Sequence, residues 1–364
     1  MKNKETKGIL ISIFGFIQGG AEIMPIRIAN YLHKHHYKVG IHCLKKECDL
    51  EIRNLLHPDI PVYYTDRSLE LAAIILVHRY GVIHSHCVSS QQLVARMKKR
   101  IPFLPLYHVA TSHGGYEGMD MAEAVTVIKN TNRTVDMWTY VADNNLELFR
   151  LAGVAEQKLR KIGNAMEVPE NIQPVNWGQY GIPEDAIVFC VITRAVWKKC
   201  WNECIEAIKR ARELTGKNIH LALCGTGPVY ETLIQKSQET FIHLVGEVTN
   251  PCAFYKASYC GLLLSVRECA PLGIIEMYHA GVPVIATDTG DVRQMMHYED
   301  GQTGIVINLS EEGSVPVLEA AEAICKMVQQ PAVYEKCKEN AVKKAHEFSM
   351  EYVFEQYMNC YKGG

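Results

Sequence analysis

The sequence predicts an α/β protein of two domains, each a parallel β-sheet covered by helices on both faces. Three observations carry this expectation. Short apolar runs alternate with segments of helical periodicity along nearly the whole chain, the pattern of repeated strand–helix–strand units. The runs are apolar at consecutive positions rather than alternating ones, as at residues 9–14 and 187–192, which suits strands buried on both faces. The length, 364 residues, exceeds what one hydrophobic core ordinarily organises.

The elements follow in order. The first half offers strands at residues 9–14, 39–44, 62–64, 82–86, 107–111, 138–142 and 159–162. Between the first two, Ile23, Ile26, Ile28, Ala29 and Leu32 recur at helical spacing and predict a helix over about 21–35. Residues 167–183 hold Pro169, Pro174 and Pro183 without periodicity and read as a linker. The second half offers strands at 187–192, 219–224, 242–245, 261–266, 284–287 and 305–307. A helix is expected to open near Leu272, to hold Glu276 in its first turns and to stop at Gly281 and Pro283. The expected domains are 1–168 and 177–347, with a last helix near 351–360 inside a terminal segment 348–364.

Composition narrows the class. Apolar residues make up 48% and charged ones 21%, the balance of an ordinary globular protein. A net charge of −2 gives no global reason to bind nucleic acid. The 13 cysteines show no framework spacing, and Cys200 and Cys204 have no matching pair at zinc spacing; free thiols in a reducing cytoplasm are expected. Lys2, Lys4 and Lys7 before an apolar run resemble a signal peptide, but Glu5 interrupts them and no small-residue cleavage pattern follows. The run is better read as the first buried strand.

Several constellations fall at strand ends, where open α/β sheets bind ligands. Gly19-Gly20-Ala21-Glu22 follows the first strand and opens a helix; its backbone can approach a ligand closely, and helix N-termini favour anions. A third glycine at dinucleotide spacing is missing. Thr193-Arg194 and Lys198-Lys199 follow the first strand of the second half; such cations could neutralise a diphosphate. Cys224-Gly225-Thr226-Gly227-Pro228 ends the next strand, as a ligand contact or only a tight turn. His113 precedes two glycines at a strand end, and His84 and His86 end a neighbouring strand. Glu268 and Glu276 sit eight positions apart across a turn and a helix start, where carboxylates could hold neutral hydroxyls beside a phosphate cradle. Lys98, Lys99 and Arg100 precede Pro102-Phe103, a combination suited to an anionic membrane surface or to a solvated helix end.

These residues together resemble glycosyltransferase family 4, the retaining GT-B enzymes. The likeness is strongest over about 185–310 and weaker over 8–165. Family 4 has a Gly-Gly loop after the first strand, an arginine and a lysine after the first strand of the second domain, a Gly-x-Gly-Pro turn and the paired glutamates. The chain departs from it at Thr193 and Cys200, where the family has glycines. The resemblance implies a GT-B fold, two Rossmann-like domains with parallel sheets facing across a cleft, and a last helix that crosses back to the first domain. It implies sugar transfer from a UDP- or GDP-sugar to a hydroxyl of a glycan or lipid-linked acceptor, with no essential metal and no cofactor. It assigns His113 and Glu268 to the donor sugar and Glu276 to the ribose. Gly19, Gly20, Arg194, Lys199, Gly225, Gly246, Leu272 and Gly273 would meet the remainder of the donor, and His86 would line the acceptor side. Whether Lys198 or Lys199 meets phosphate stays open. A nucleotide-sugar epimerase of the same fold and an NAD-dependent dehydrogenase are the alternatives.

Overall fold

The computed structural model describes residues 8–17, 19–114, 119–236, 239–299 and 301–363. Lys2, Lys4, Lys7 and Gly115 therefore lie outside the described residues. The chain forms two compact units, one running up to Glu167 and resuming at Ser349, the other spanning Val168–Phe348.

The first unit holds seven parallel strands: β1 Gly8–Ile13, β2 Val39–Cys43, β3 Val62–Tyr64, β4 Tyr80–Ser85, β5 Tyr107–Ser112, β6 Met137–Tyr140 and β7 Leu159–Lys161. Their order is β3-β2-β1-β4-β5-β6-β7. Both faces of β1 are buried, which is why its sequence shows no alternation. Ile9, Ile11 and Ile13 pack with the helix Gly20–Lys34 and with Val353 and Tyr357 of the helix Met350–Tyr361, while Leu10 joins Ile83, Leu93 and Met97 on the other face. The terminal helix thus belongs to the first unit, and the amide of Met350 donates to the Met166 carbonyl at 2.9 Å.

The second unit holds β8 Ile187–Ile192, β9 Ile219–Cys224, β10 Ile242–Gly246, β11 Cys260–Leu263, β12 Val284–Thr287, β13 His297–Tyr298, β14 Gly301–Gln302 and β15 Gly304–Ile307. Six form a parallel sheet, β10-β9-β8-β11-β12-β15, and β13 pairs with β14 in an antiparallel hairpin. The segment read as linker is partly ordered against this unit. Trp177–Tyr180 forms a 3₁₀ turn, and the Trp177 indole donates to the Ala257 carbonyl at 2.8 Å. No described helix is long and apolar enough to cross a membrane.

Strand order fixes where ligands can sit. In each sheet the chain winds outward in both directions from a central pair, β1 and β4 in the first and β8 and β11 in the second. Crevices at the carboxyl ends of such pairs are the binding positions of doubly wound sheets.

Candidate functional site

The loops after β8 and β11 meet at the second unit's switch point. Lys199 Nζ and the Glu268 carboxylate form an ion pair there, with side chains only 14% and 10% exposed. The Glu268 loop is held from several sides. The Val266 amide donates to the Lys198 carbonyl at 3.0 Å, the Asp291 amide donates to the Cys269 carbonyl at 2.8 Å, and the Thr287 hydroxyl donates to the Ser265 carbonyl. Arg194 is exposed, and its guanidinium has no partner among the described residues. The helix Leu272–His279 opens after Pro271 without a side-chain cap, so its first N–H groups at Leu272 and Gly273 remain for a ligand. Glu276 lies in the second turn of that helix, partly buried. Fixed N–H donors, one unpartnered guanidinium and two carboxylates on neighbouring elements are a donor set for phosphates and hydroxyls together.

The departures from family 4 have a local explanation. Cys200 has φ 51°, the left-handed region that favours glycine. Thr193 accepts a hydrogen bond from the Trp201 indole at 2.9 Å, so its side chain fastens the loop to the next helix. Gly225 and Gly227 are required by packing. At φ +132° a Cβ on Gly225 would stand 2.0 Å from the Thr193 carbonyl oxygen, and one on Gly227 2.6 Å from that of Ala195. The β8 and β9 loops are interlocked through backbone, with the Ala195 amide donating to the Thr226 carbonyl at 2.8 Å. Gly246, at φ +84°, closes the same corner, its carbonyl accepting from the Gly225 amide at 2.6 Å. Sequence reasoning missed Gly290. Its Cβ would lie 2.4 Å and 2.6 Å from the carbonyls of Cys269 and Glu268, so its bareness lets the Glu268 loop approach.

The first unit's switch point sets imidazoles beside a single carboxylate. Gly19 caps the helix Gly20–Lys34, and the Glu22 carboxylate fills the space where a Gly19 Cβ would point, 2.6 Å away. His86, just past β4, places Nδ1 2.9 Å from Nε2 of His113, just past β5; one ring must donate and the other accept. Burial pushes the His86 pKa well below the usual range and that of His113 down to about 4. The His113 residue retains partial surface exposure, so solvent moderates this second shift. His84 lies beside His86 with ring centres 3.9 Å apart and the rings tilted by 43°. Its Nδ1 meets the Tyr361 hydroxyl at 2.8 Å and its Nε2 the Thr111 hydroxyl at 2.6 Å. A neutral His113 can exchange hydrogen bonds with a sugar hydroxyl but adds no charge.

The basic stretch divides. Lys98 pairs with Asp136 at 2.8 Å, and Arg100 donates to the Ser68 hydroxyl at 2.8 Å. Lys99 is exposed, as is Phe103, at 94%. All 13 cysteines are free.

Comparison with known proteins bears on this arrangement. Residues 174–344, nearly the whole second unit, match the family model of glycosyl transferases group 1. The second unit carries the group 1 glycosyltransferase domain. N-acetyl-alpha-D-glucosaminyl L-malate synthase of Bacillus anthracis is 24% identical over 188 residues, 50% of this chain and 47% of that protein; the match spans about half of that relative's length. An uncharacterized glycosyltransferase of Methanocaldococcus jannaschii is 21% identical, covering 96% of this chain and 91% of that one. Among solved structures, Anabaena HepE in complex with UDP and glucose has a TM-score of 0.80 at 16% identity, covering 97% of this chain and 99% of that one. The pneumococcal O-GlcNAc transferase GtfA in complex with UDP and GlcNAc has a TM-score of 0.76 at 11% identity, covering 98% and 99%. These likenesses give the chain its fold: GT-B, two Rossmann-like domains with parallel sheets.

Proposed function

We propose that this glycosyltransferase is a retaining hexosyltransferase that moves a sugar from a nucleotide-sugar donor to a hydroxyl of a glycan or lipid-linked acceptor. The observation that carries the reading is the Lys199–Glu268 pair at the switch point of the second sheet, beside Arg194 and the uncapped helix at Leu272. A departing nucleoside diphosphate gains charge toward the transition state, and fixed cations stabilise that charge more than the ground state. An ammonium has three donors, so Lys199 can keep Glu268 and still meet a phosphate. Glu268 then accepts from the donor sugar's hydroxyls and Glu276 from the ribose. His113 is assigned to the donor sugar and His86 to the acceptor side on resemblance. The UDP in the HepE and GtfA complexes favours a uridine donor over a guanosine one.

Transfer in this reading needs no covalent intermediate; departure and attack on one face give retention. Arg194 and Lys199 take the place of a divalent ion, so transfer persists in excess EDTA. A role in surface polysaccharide synthesis, with Lys99, Arg100 and Phe103 touching the inner face of the membrane from the cytoplasm, completes the reading. Thermal unfolding with a panel of UDP- and GDP-sugars tests the donor, because a ligand of the native state raises apparent stability. NMR of the product anomer tests retention. Inversion of the donor sugar without transfer would identify an epimerase, and stabilisation by NAD alone a dehydrogenase; either overturns the proposal.

A further inference from the structure

The far end of the helix Gly20–Lys34 carries a second cluster, unrelated to sugar transfer. His33 in its last turn lies beside His57, with ring centres 4.3 Å apart. Asp59 follows His57 closely, its carboxylate 3.9 Å from His57 Nδ1. One ligand atom from each of the three residues lies within 4.8 Å of the others. Around a tetrahedral ion bound at 2.0–2.1 Å, ligand atoms stand roughly 3.4 Å apart. Small side-chain rotations close that difference, and His57 and Asp59 are exposed and able to make them.

The two ligand-bearing segments are already fixed to each other. Asn30, one turn before His33, donates to the Leu55 carbonyl at 2.7 Å and accepts from the His57 amide at 2.9 Å. Its side chain therefore clamps the turn that carries His57 and Asp59 onto the helix. The cluster opens into a pocket of about 550 Å³ that His36 and Glu167 also line. His36 has φ 61° just past the helix end, a position where glycine or asparagine is the ordinary choice. The negative end of the helix dipole faces the same place and favours a cation. Lys34 shares the pocket, and its charge is drawn toward Glu167 at 3.5 Å.

We propose that His33, His57 and Asp59 form a surface site for a borderline divalent metal of the zinc type, with water completing its coordination. Two imidazoles and a carboxylate suit zinc, cobalt or nickel better than magnesium or calcium. The site lies about 20 Å along the helix from Gly20, by helical rise, so its ion is a staple and takes no part in transfer.

The test uses the full chain stripped with EDTA and titrated with Co²⁺, followed by optical absorption, with Zn²⁺ competition for affinity. One equivalent is expected, with a d–d band and no thiolate charge-transfer band, and Zn²⁺ is expected to raise the melting temperature. His33→Gln and His57→Gln should each weaken binding more than about tenfold, and Asn30→Ala about tenfold, as for supporting residues elsewhere. Circular dichroism confirms that each variant is folded. Absence of binding, a thiolate band, or equal affinity in wild type, His33→Gln and His57→Gln would overturn the site. Glycosyl transfer is expected to be equal with and without the ion, so failure of the site leaves the functional reading standing.

Discussion

The two switch points solve different problems with different chemistry. In the first unit the carboxyl ends of β4 and β5 carry imidazoles and hydroxyls that hydrogen-bond one another without charge, with His86 Nε2 left without a partner among the described residues. In the second, the ends of β8 and β11 carry an ion pair, and Arg194 stands exposed beside them. A neutral network fixes geometry but loses its basis when protonated. A charged loop supplies field strength but must be braced by backbone, as Gly225, Gly227 and Gly290 allow.

Acid should break this contrast most strongly. Burial holds the pKa of His42 at about 4 and that of His108 at about 3. The unfolded chain takes up these protons near pH 6.5, whereas the folded chain does not until those lower values. Stability is therefore complete above about pH 6.5 and falls as pH drops toward 4 and 3, by about 1.4 kcal/mol per pH unit for each such imidazole. His84 and His86 shift in the same direction and add to the loss. The second unit's His220 and His243 are lowered as well, with His220 buried and His243 only partly so, but both by less. Hydrogen exchange read by mass spectrometry at about pH 4.5 should show the first unit opening ahead of the second; simultaneous opening would refute the contrast.

Next in size is the charge itself. Lys199→Ala and Arg194→Ala should each lower kcat by about 10²–10³-fold with a smaller change in donor affinity. Lys198→Ala, which keeps the carbonyl that accepts from the Val266 amide, should be milder. Wild-type kcat in both of the first two variants would remove the phosphate assignment.

Bracing comes third. Gly290→Ala and Gly225→Ala must displace backbone carbonyls and should lower stability by about 1–3 kcal/mol, seen as a reduced denaturant midpoint with little change in slope. An unchanged midpoint would mean the loops are looser than their contacts imply. The smallest effect belongs to the neutral side: His113→Ala removes hydrogen bonds without charge and should lower turnover about tenfold while the protein stays folded. A loss as deep as that of Lys199→Ala would erase the distinction between the two edges.

Much of this was legible in the sequence because its causes are local. Thirteen strands announced themselves as apolar runs, and the end of the helix after Leu272 as a boundary at Gly281 and Pro283. The hairpin β13–β14 was not legible, since two residues per strand have no period. Gly290 was missed because its constraint is the carbonyl of Cys269, twenty-one positions back in sequence. The His86–His113 pairing joins residues 27 apart, and only sheet order brings them together. Gly225 was ambiguous between ligand contact and turn; the contact with Thr193 supplies a packing reason that no single-segment reading contains.

The chain leaves the first unit at Glu167 and re-enters it at Ser349. Met350, Val353, Tyr357, Met358, Cys360 and Tyr361 complete a core whose other buried members lie before residue 166, and Tyr361 supplies one of the two partners of the His84 ring. During synthesis, which proceeds at roughly 5–20 residues per second, that core waits unfinished while about 180 further residues are made. The second unit is contiguous in sequence, whereas the first is completed by a segment made after it. A nascent chain halted after residue 348 should accordingly resist protease over the second unit and yield over the first.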